Sequence, residues 1–150
     1  METKIRSNKG FTLIELVIVI TILAVLAVIG MQTWGNMSAK SKASADVANA
    51  QTIANSFNRG CVDGVFTTTA PANTFVTADS LWSTLTTNTY MITGVPQVKA
   101  VPGGIFYVSF NSDGSAMKVA VSTDNAIAPD EIIYPRPSGG FTNTYYTVLN

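Results

Sequence analysis

Glu15 is the carboxylate that stands out in this sequence, because it opens an apolar run that extends from Phe11 to Met31. A charge near membrane depth is costly unless it is paired, so its default reading is functional. Elsewhere the means for catalysis are thin. Histidine is absent and Cys61 is the lone cysteine, so Cys/His metal sites and Ser/His or Cys/His nucleophile pairs cannot be assembled within one chain. A single cysteine forms no internal disulfide, and Cys61 reads as a small buried hydrophobe. Asn111, Asp113 and Asp124-Asn125 carry oxygen atoms of the kind calcium takes. Asp113-Gly114 explains itself as a turn, however, and the turn is the stronger reading. The expectation is a chain that is not an enzyme and needs no metal or cofactor.

Glu15 has to be positioned by whatever the N-terminus folds into. Residues 1 to 10 contain Lys4, Arg6 and Lys9 against one acid, Glu2, and between Leu16 and Ala39 there is no charged residue at all. At about 1.5 Å per residue, a helix of that length exceeds the roughly 30 Å hydrocarbon core of a bilayer. The basic head is expected to stay cytoplasmic, which sends the chain beyond residue 40 to the outer side. Two blander readings compete. A cleaved signal peptide would use a small-residue site such as Ala43-Ser44-Ala45, but the apolar stretch is too long for it. A simple signal anchor accounts for the length and leaves Glu15 as an unexplained cost. Composition agrees with a membrane segment or extensive burial between subunits: 47% of residues are hydrophobic and only 12% charged. Lys and Arg balance Asp and Glu at nine each, and no basic run interleaved with aromatics points to nucleic acid.

Lys9-Gly10-Phe11-Thr12-Leu13-Ile14-Glu15-Leu16, followed by Val17-Ile18-Val19-Ile20, closely resembles the prepilin signature of type IV pilins and type II secretion pseudopilins. The resemblance covers about the first 35 positions. It implies cleavage between Gly10 and Phe11 by a prepilin peptidase on the cytoplasmic side, N-methylation of Phe11, and retention of the apolar helix. Cutting there frees an α-amine with an ordinary pKa near 8, largely protonated at neutral pH. In a helix Phe11 and Glu15 share a face, so the carboxylate can meet its own amine or that of a neighbouring subunit. In the family the second pairing is associated with assembly, which makes Phe11 and Glu15 the assembly pair by resemblance. Many pilins also carry a proline at the place of Gln32, and it goes with local loss of helix in filaments. This chain has none there, but Gly30 and Gly35 flank Met31-Gln32-Thr33-Trp34 and weaken the helix by roughly 1 kcal/mol each relative to alanine. They are the candidates for helix melting.

Beyond the apolar run no proline occurs before Pro71, and one helix is predicted from Phe11 to about Arg59, with Gly60 as its C-cap. Ala39, Ala43, Val47, Ala50, Ile53 and Phe57 recur three or four residues apart and form an apolar stripe, whereas Lys40, Lys42, Asp46 and Asn49 fall off it. From Cys61 onward the sequence reads as loops and strands. A short helix is expected to start near Thr77 to Asp79. Strands are expected at Ile105 to Phe110 and Met117 to Val121, joined through Asn111-Ser112-Asp113-Gly114, with Phe106, Val108, Phe110, Met117, Val119 and Val121 on one face. A third strand is expected at Glu131 to Tyr134 or at Thr144 to Leu149. The fold class is therefore α+β, pilin-like: a long helix, membrane-spanning in its first half and amphipathic in its second, packed on a small antiparallel sheet. The expected organisation is a leader over 1–10, a transmembrane and assembly helix over 11–38, and a globular head over 39–150. Many Gram-negative pilins close the C-terminal region with a disulfide. Cys61 alone forbids this, so that segment must be held another way. Asn36-Met37-Ser38 matches a glycosylation sequon and Thr67 to Thr69 offer hydroxyls for O-modification, both weak signals. Tyr145 and Tyr146 are candidate surface contacts.

The functional expectation is a structural subunit of a type IV pilus that serves adhesion or motility as a surface filament. The competing readings are a pseudopilin of a type II secretion or DNA-uptake machine, and a minor pilin acting as a binding module. The expected partners are copies of the subunit, the inner-membrane assembly machinery, the prepilin peptidase and the lipid bilayer. Nine charges of each sign, less three bases and one acid lost with residues 1 to 10, leave six and eight, which disfavours nucleic acid. The chain is placed in the cytoplasmic membrane as a single-pass subunit before assembly, and in an extracellular filament afterwards.

Overall fold

The computed structural model describes residues 10–66, 74–87, 90, 94–124, 126–128 and 131–150, and the side chains of all of these except 32, 33 and 86. Residues 1–9 of the expected leader, Thr67 to Thr69 and Asn125 lie outside the described residues. Contacts divide the chain into two compact units, Met1–Met37 and Ser38–Asn150.

Helix α1 spans Leu13–Val62. Its first half is rich in Val and Ile, which are only middling helix formers in water, but it is the form that satisfies every backbone group in hydrocarbon. Every large apolar side chain from Leu13 to Ile29 is exposed, and the helix is long and apolar enough to cross a membrane. From Ala43 onward the helix becomes one wall of a core. Ala43, Ala50, Ile53 and Phe57 of the expected stripe are fully buried, joined by Ala54 and Cys61. Val47 is half-buried and Ala39 is exposed, so the packed stripe starts one turn later than the spacing suggests.

The helix end also differs from expectation. Gly60 is inside α1, not its cap. The stop is Gly64, whose φ of 72° is the left-handed conformation that glycine adopts without strain. Val65 N–H donates to Gly60 C=O at 2.9 Å and Gly64 N–H to Cys61 C=O at 3.0 Å. That is the pair of bonds of a Schellman closure.

The sheet is four-stranded and antiparallel, in the order β1 (Val76–Thr77), β2 (Ile105–Ser109), β3 (Lys118–Ser122) and β4 (Ile132–Tyr134). Between β1 and β2 lie a 3-10 turn, Ala78–Leu81, and the short helix α2, Trp82–Thr87. The β2–β3 hairpin pairs Phe106 with Val121 and Val108 with Val119. These four, with Phe110 and Met117, enter the same core as Ile53 and Phe57, so the predicted face is the one that packs on α1. Phe57, Phe66 and Phe110 meet there with ring centroids 5.3 to 5.4 Å apart.

The alternate residues of the hairpin, Tyr107, Ser109, Ala120 and Ser122, are buried as well. Burial first, and then the carboxylates of Asp124 and Glu131, push the Tyr107 phenol above its ordinary range. The hairpin turn is self-satisfied: Asn111 N–H bonds to Ser115 C=O, Ser115 N–H to the Asp113 carboxylate, and Gly114 takes φ of 79°. The third strand is Ile132–Tyr134. Thr144 to Leu149 is no strand: it closes in a 3-10 turn, Thr147–Leu149. Strand β1, two residues long, is an addition that no sequence pattern announces.

Candidate processing and assembly site

The site at the N-terminus of α1 is built by Thr12, the residue before the first helical one. Helix formation leaves the first N–H groups without intrahelical partners. Thr12 Oγ1 accepts from Glu15 N–H at 3.3 Å, while the Glu15 carboxylate accepts from Thr12 N–H at 2.9 Å and from Thr12 Oγ1 at 2.8 Å. This reciprocal arrangement is a capping box, spelled in the sequence by Thr-x-x-Glu. It is a second role for Glu15 that reading the apolar run alone misses, although the spacing of Thr12 and Glu15 announces it. Leu16 N–H makes the first bond of the helical ladder, to Thr12 C=O at 3.3 Å.

Gly10 and Phe11 therefore precede the helix, and both are exposed, Phe11 at 84%. A Cβ placed on Gly10 would meet no atom within 4 Å. The bond between them lies outside the helix. The helical Phe11–Glu15 spacing does not apply in this form of the chain, because Phe11 lies outside the helix and Glu15 is held by Thr12. A free amine at Phe11 would place a positive charge at the end of a helix that already carries about half a positive charge there. Gly30 and Gly35 lie within the exposed first half of α1, and a Cβ at either would meet nothing within 4 Å.

A second polar cluster sits in the Ser38–Asn150 unit, around Asp46. Asp46 falls off the expected apolar stripe, yet it is fully buried. Its carboxylate accepts from the backbone N–H of Lys99 at 2.9 Å and of Ala100 at 2.8 Å, and from the Tyr146 hydroxyl at 3.3 Å. Burial, and then the Asp46 charge, hold the Tyr146 phenol far above the usual tyrosine range. Tyr146 is thus an internal anchor and not a surface contact, whereas Tyr145 is 47% exposed. Asn150 bonds Phe141 through both its amide atoms, at 2.8 and 2.9 Å. Arg136 lies 5.4 Å from the centre of the Phe141 ring and donates to Leu149 C=O. These contacts hold the C-terminal segment without a disulfide. Cys61 is buried and free, its thiol pushed up chiefly by burial.

The model of the prokaryotic N-terminal methylation motif matches residues 5–31. That motif is the prepilin signature of type IV pilins and pseudopilins. Neither the curated proteins nor the solved structures contain a match to the chain. The N-terminal segment is therefore of the pilin-like or pseudopilin kind and fits a membrane-anchored precursor.

Proposed function

We propose that this chain is the structural, non-enzymatic subunit of a type IV pilus, cut between Gly10 and Phe11, N-methylated at Phe11 and polymerised into a surface filament. The methylation motif over residues 5–31 carries the reading, and the exposed, unwound Gly10–Phe11 bond directly ahead of a membrane-capable helix supports it. In the cut subunit, the Phe11 ammonium of one copy is neutralised by a Glu15 carboxylate in the apolar bundle, so growth is favoured only in the register that pairs them. The experiment compares Glu15→Gln and Glu15→Val. Glutamine retains an acceptor at the third helical position and so keeps the cap, but it lacks the charge. Both variants should insert and be cut at Gly10, and both should lose filaments by at least tenfold. Normal filament yield from Glu15→Gln would assign Glu15 to capping alone. Sequencing of material sheared from cells should begin at methylated Phe11. A start at Asp46 would mean an ordinary signal peptide, and processed chain that stays in the cell envelope would mean a pseudopilin.

A further inference from the structure

We propose that Trp34 is the outer interfacial anchor of the membrane span, seating its indole at the headgroup boundary of the lipid bilayer. The proposal rests on the membrane reading of α1 and adds to it a fixed depth. Along the Met1–Met37 unit, the large exposed apolar side chains from Leu13 to Ile29 are all aliphatic, with no aromatic ring among them. The pattern ends at Gln32-Thr33, and Trp34 follows, 78% exposed. Among the described residues its indole N–H donates no hydrogen bond. An apolar ring with one unused donor is the side chain that prefers the boundary between hydrocarbon and headgroups, where the body is buried and the N–H stays wet.

The backbone leaves room for the ring to lie down. Helical side chains lean toward the N-terminal turn, here toward the hydrocarbon. One turn below on that face is Gly30, and beside Trp34 is Gly35, at neither of which a Cβ would meet anything within 4 Å. The length agrees. From Leu13 to Trp34 the helix rises about 32 Å, close to the roughly 30 Å of hydrocarbon. With Trp34 at the outer boundary, Glu15 lies about 29 Å away along the axis, at the inner boundary and not at the centre of the bilayer. Its carboxylate is then within reach of water before assembly, and much of the cost of a lone charge in the span disappears.

The test uses the full chain reconstituted in phosphatidylcholine vesicles, with lipids brominated at carbons 6,7 or 11,12 as quenchers. Trp82 is the second of the two tryptophans and is buried, so Trp82→Phe leaves Trp34 as the single emitter. Its emission should be quenched at least twofold more strongly by the 6,7 lipid than by the 11,12 lipid. A mid-span reporter, Ile22→Trp in a chain also carrying Trp34→Phe and Trp82→Phe, should show the opposite order. Trp34 quenched most by the 11,12 lipid, or by neither, would overturn the anchor while the reporter still certified the span. A reporter at position 22 that neither lipid quenches would overturn the span itself, and the anchor with it.

Discussion

Gly60 sits inside α1, where alanine would ordinarily strengthen a helix by up to about 1 kcal/mol. Here a Cβ would come within 2.7 and 2.9 Å of the Phe66 ring, and that ring is fixed by Phe57 and Phe110. Overpacking of a fitted aromatic cluster costs on the order of 1–3 kcal/mol, so the clash outweighs the propensity gain. Gly60→Ala is expected to lower the denaturant midpoint of the purified chain by an amount equivalent to about 1 kcal/mol, and an unchanged or raised midpoint would count against the packing argument. Tyr146 gives a pH signature. Its folded-state pKa is raised above the unfolded value of about 10, so its contribution is whole below about pH 10 and is lost as pH rises toward the folded value. Unfolding free energy should fall steeply above pH 10, beyond the smaller decline that the raised Cys61 thiol begins near its unfolded pKa of about 8.5. Tyr107, also raised by burial, contributes to the same fall. Tyr146→Phe should therefore make the slope shallower without abolishing it, as followed by denaturant melts from pH 8 to 11.

The elements of the Ser38–Asn150 unit are joined through Asp46, which ties α1 to the 99–100 backbone and to Tyr146. Removing its carboxylate leaves two backbone N–H groups and a hydroxyl without an acceptor, each costing about 1–3 kcal/mol when buried. Asp46→Ala is expected to destabilise the fold by at least about 3 kcal/mol and to loosen residues 141–150, detectable as faster amide exchange at Phe141 and Tyr146. Exchange unchanged there would show that Asn150 and Arg136 suffice. No sequence pattern could have named this residue, because its partners lie 53 and 100 positions away and an acid among alanines reads as a solvated face. The β2–β3 hairpin was legible, since Asp113-Gly114 and the period of two are local signals. So was the capping box, in the spacing of Thr12 and Glu15. Strand β1 was not, because two residues carry no period. Thr144 to Leu149 has strand-forming residues, and yet the buried Tyr146 bond to Asp46 and the 3-10 turn prevail. Tertiary contacts there override local propensity.

At the scale of the whole molecule, the proposed function asks one helix to serve two environments, bilayer and filament, and the stretch around Gly30 and Gly35 is where that demand would fall. α1 is helical through it. In a bilayer the backbone has no alternative partner, so a helix weakened by roughly 1 kcal/mol at each glycine still holds. In the filament of the proposed function, neighbouring subunits and water would satisfy opened N–H and C=O groups, and we propose that the same weakness then lets the backbone extend between about residues 30 and 36. The polymer would then lengthen under load by unwinding helix at 1.5 Å per residue toward the roughly 3.3 Å per residue of extended chain. Gly30→Ala combined with Gly35→Ala restores about 2 kcal/mol of helix preference. The double variant is expected to insert and be cut normally, but to give filaments that are stiffer under force or fewer in number. A filament reconstruction with unbroken helix through Trp34, together with unaltered extension in the double variant, would assign the glycines to close helix packing, where small residues let backbones approach.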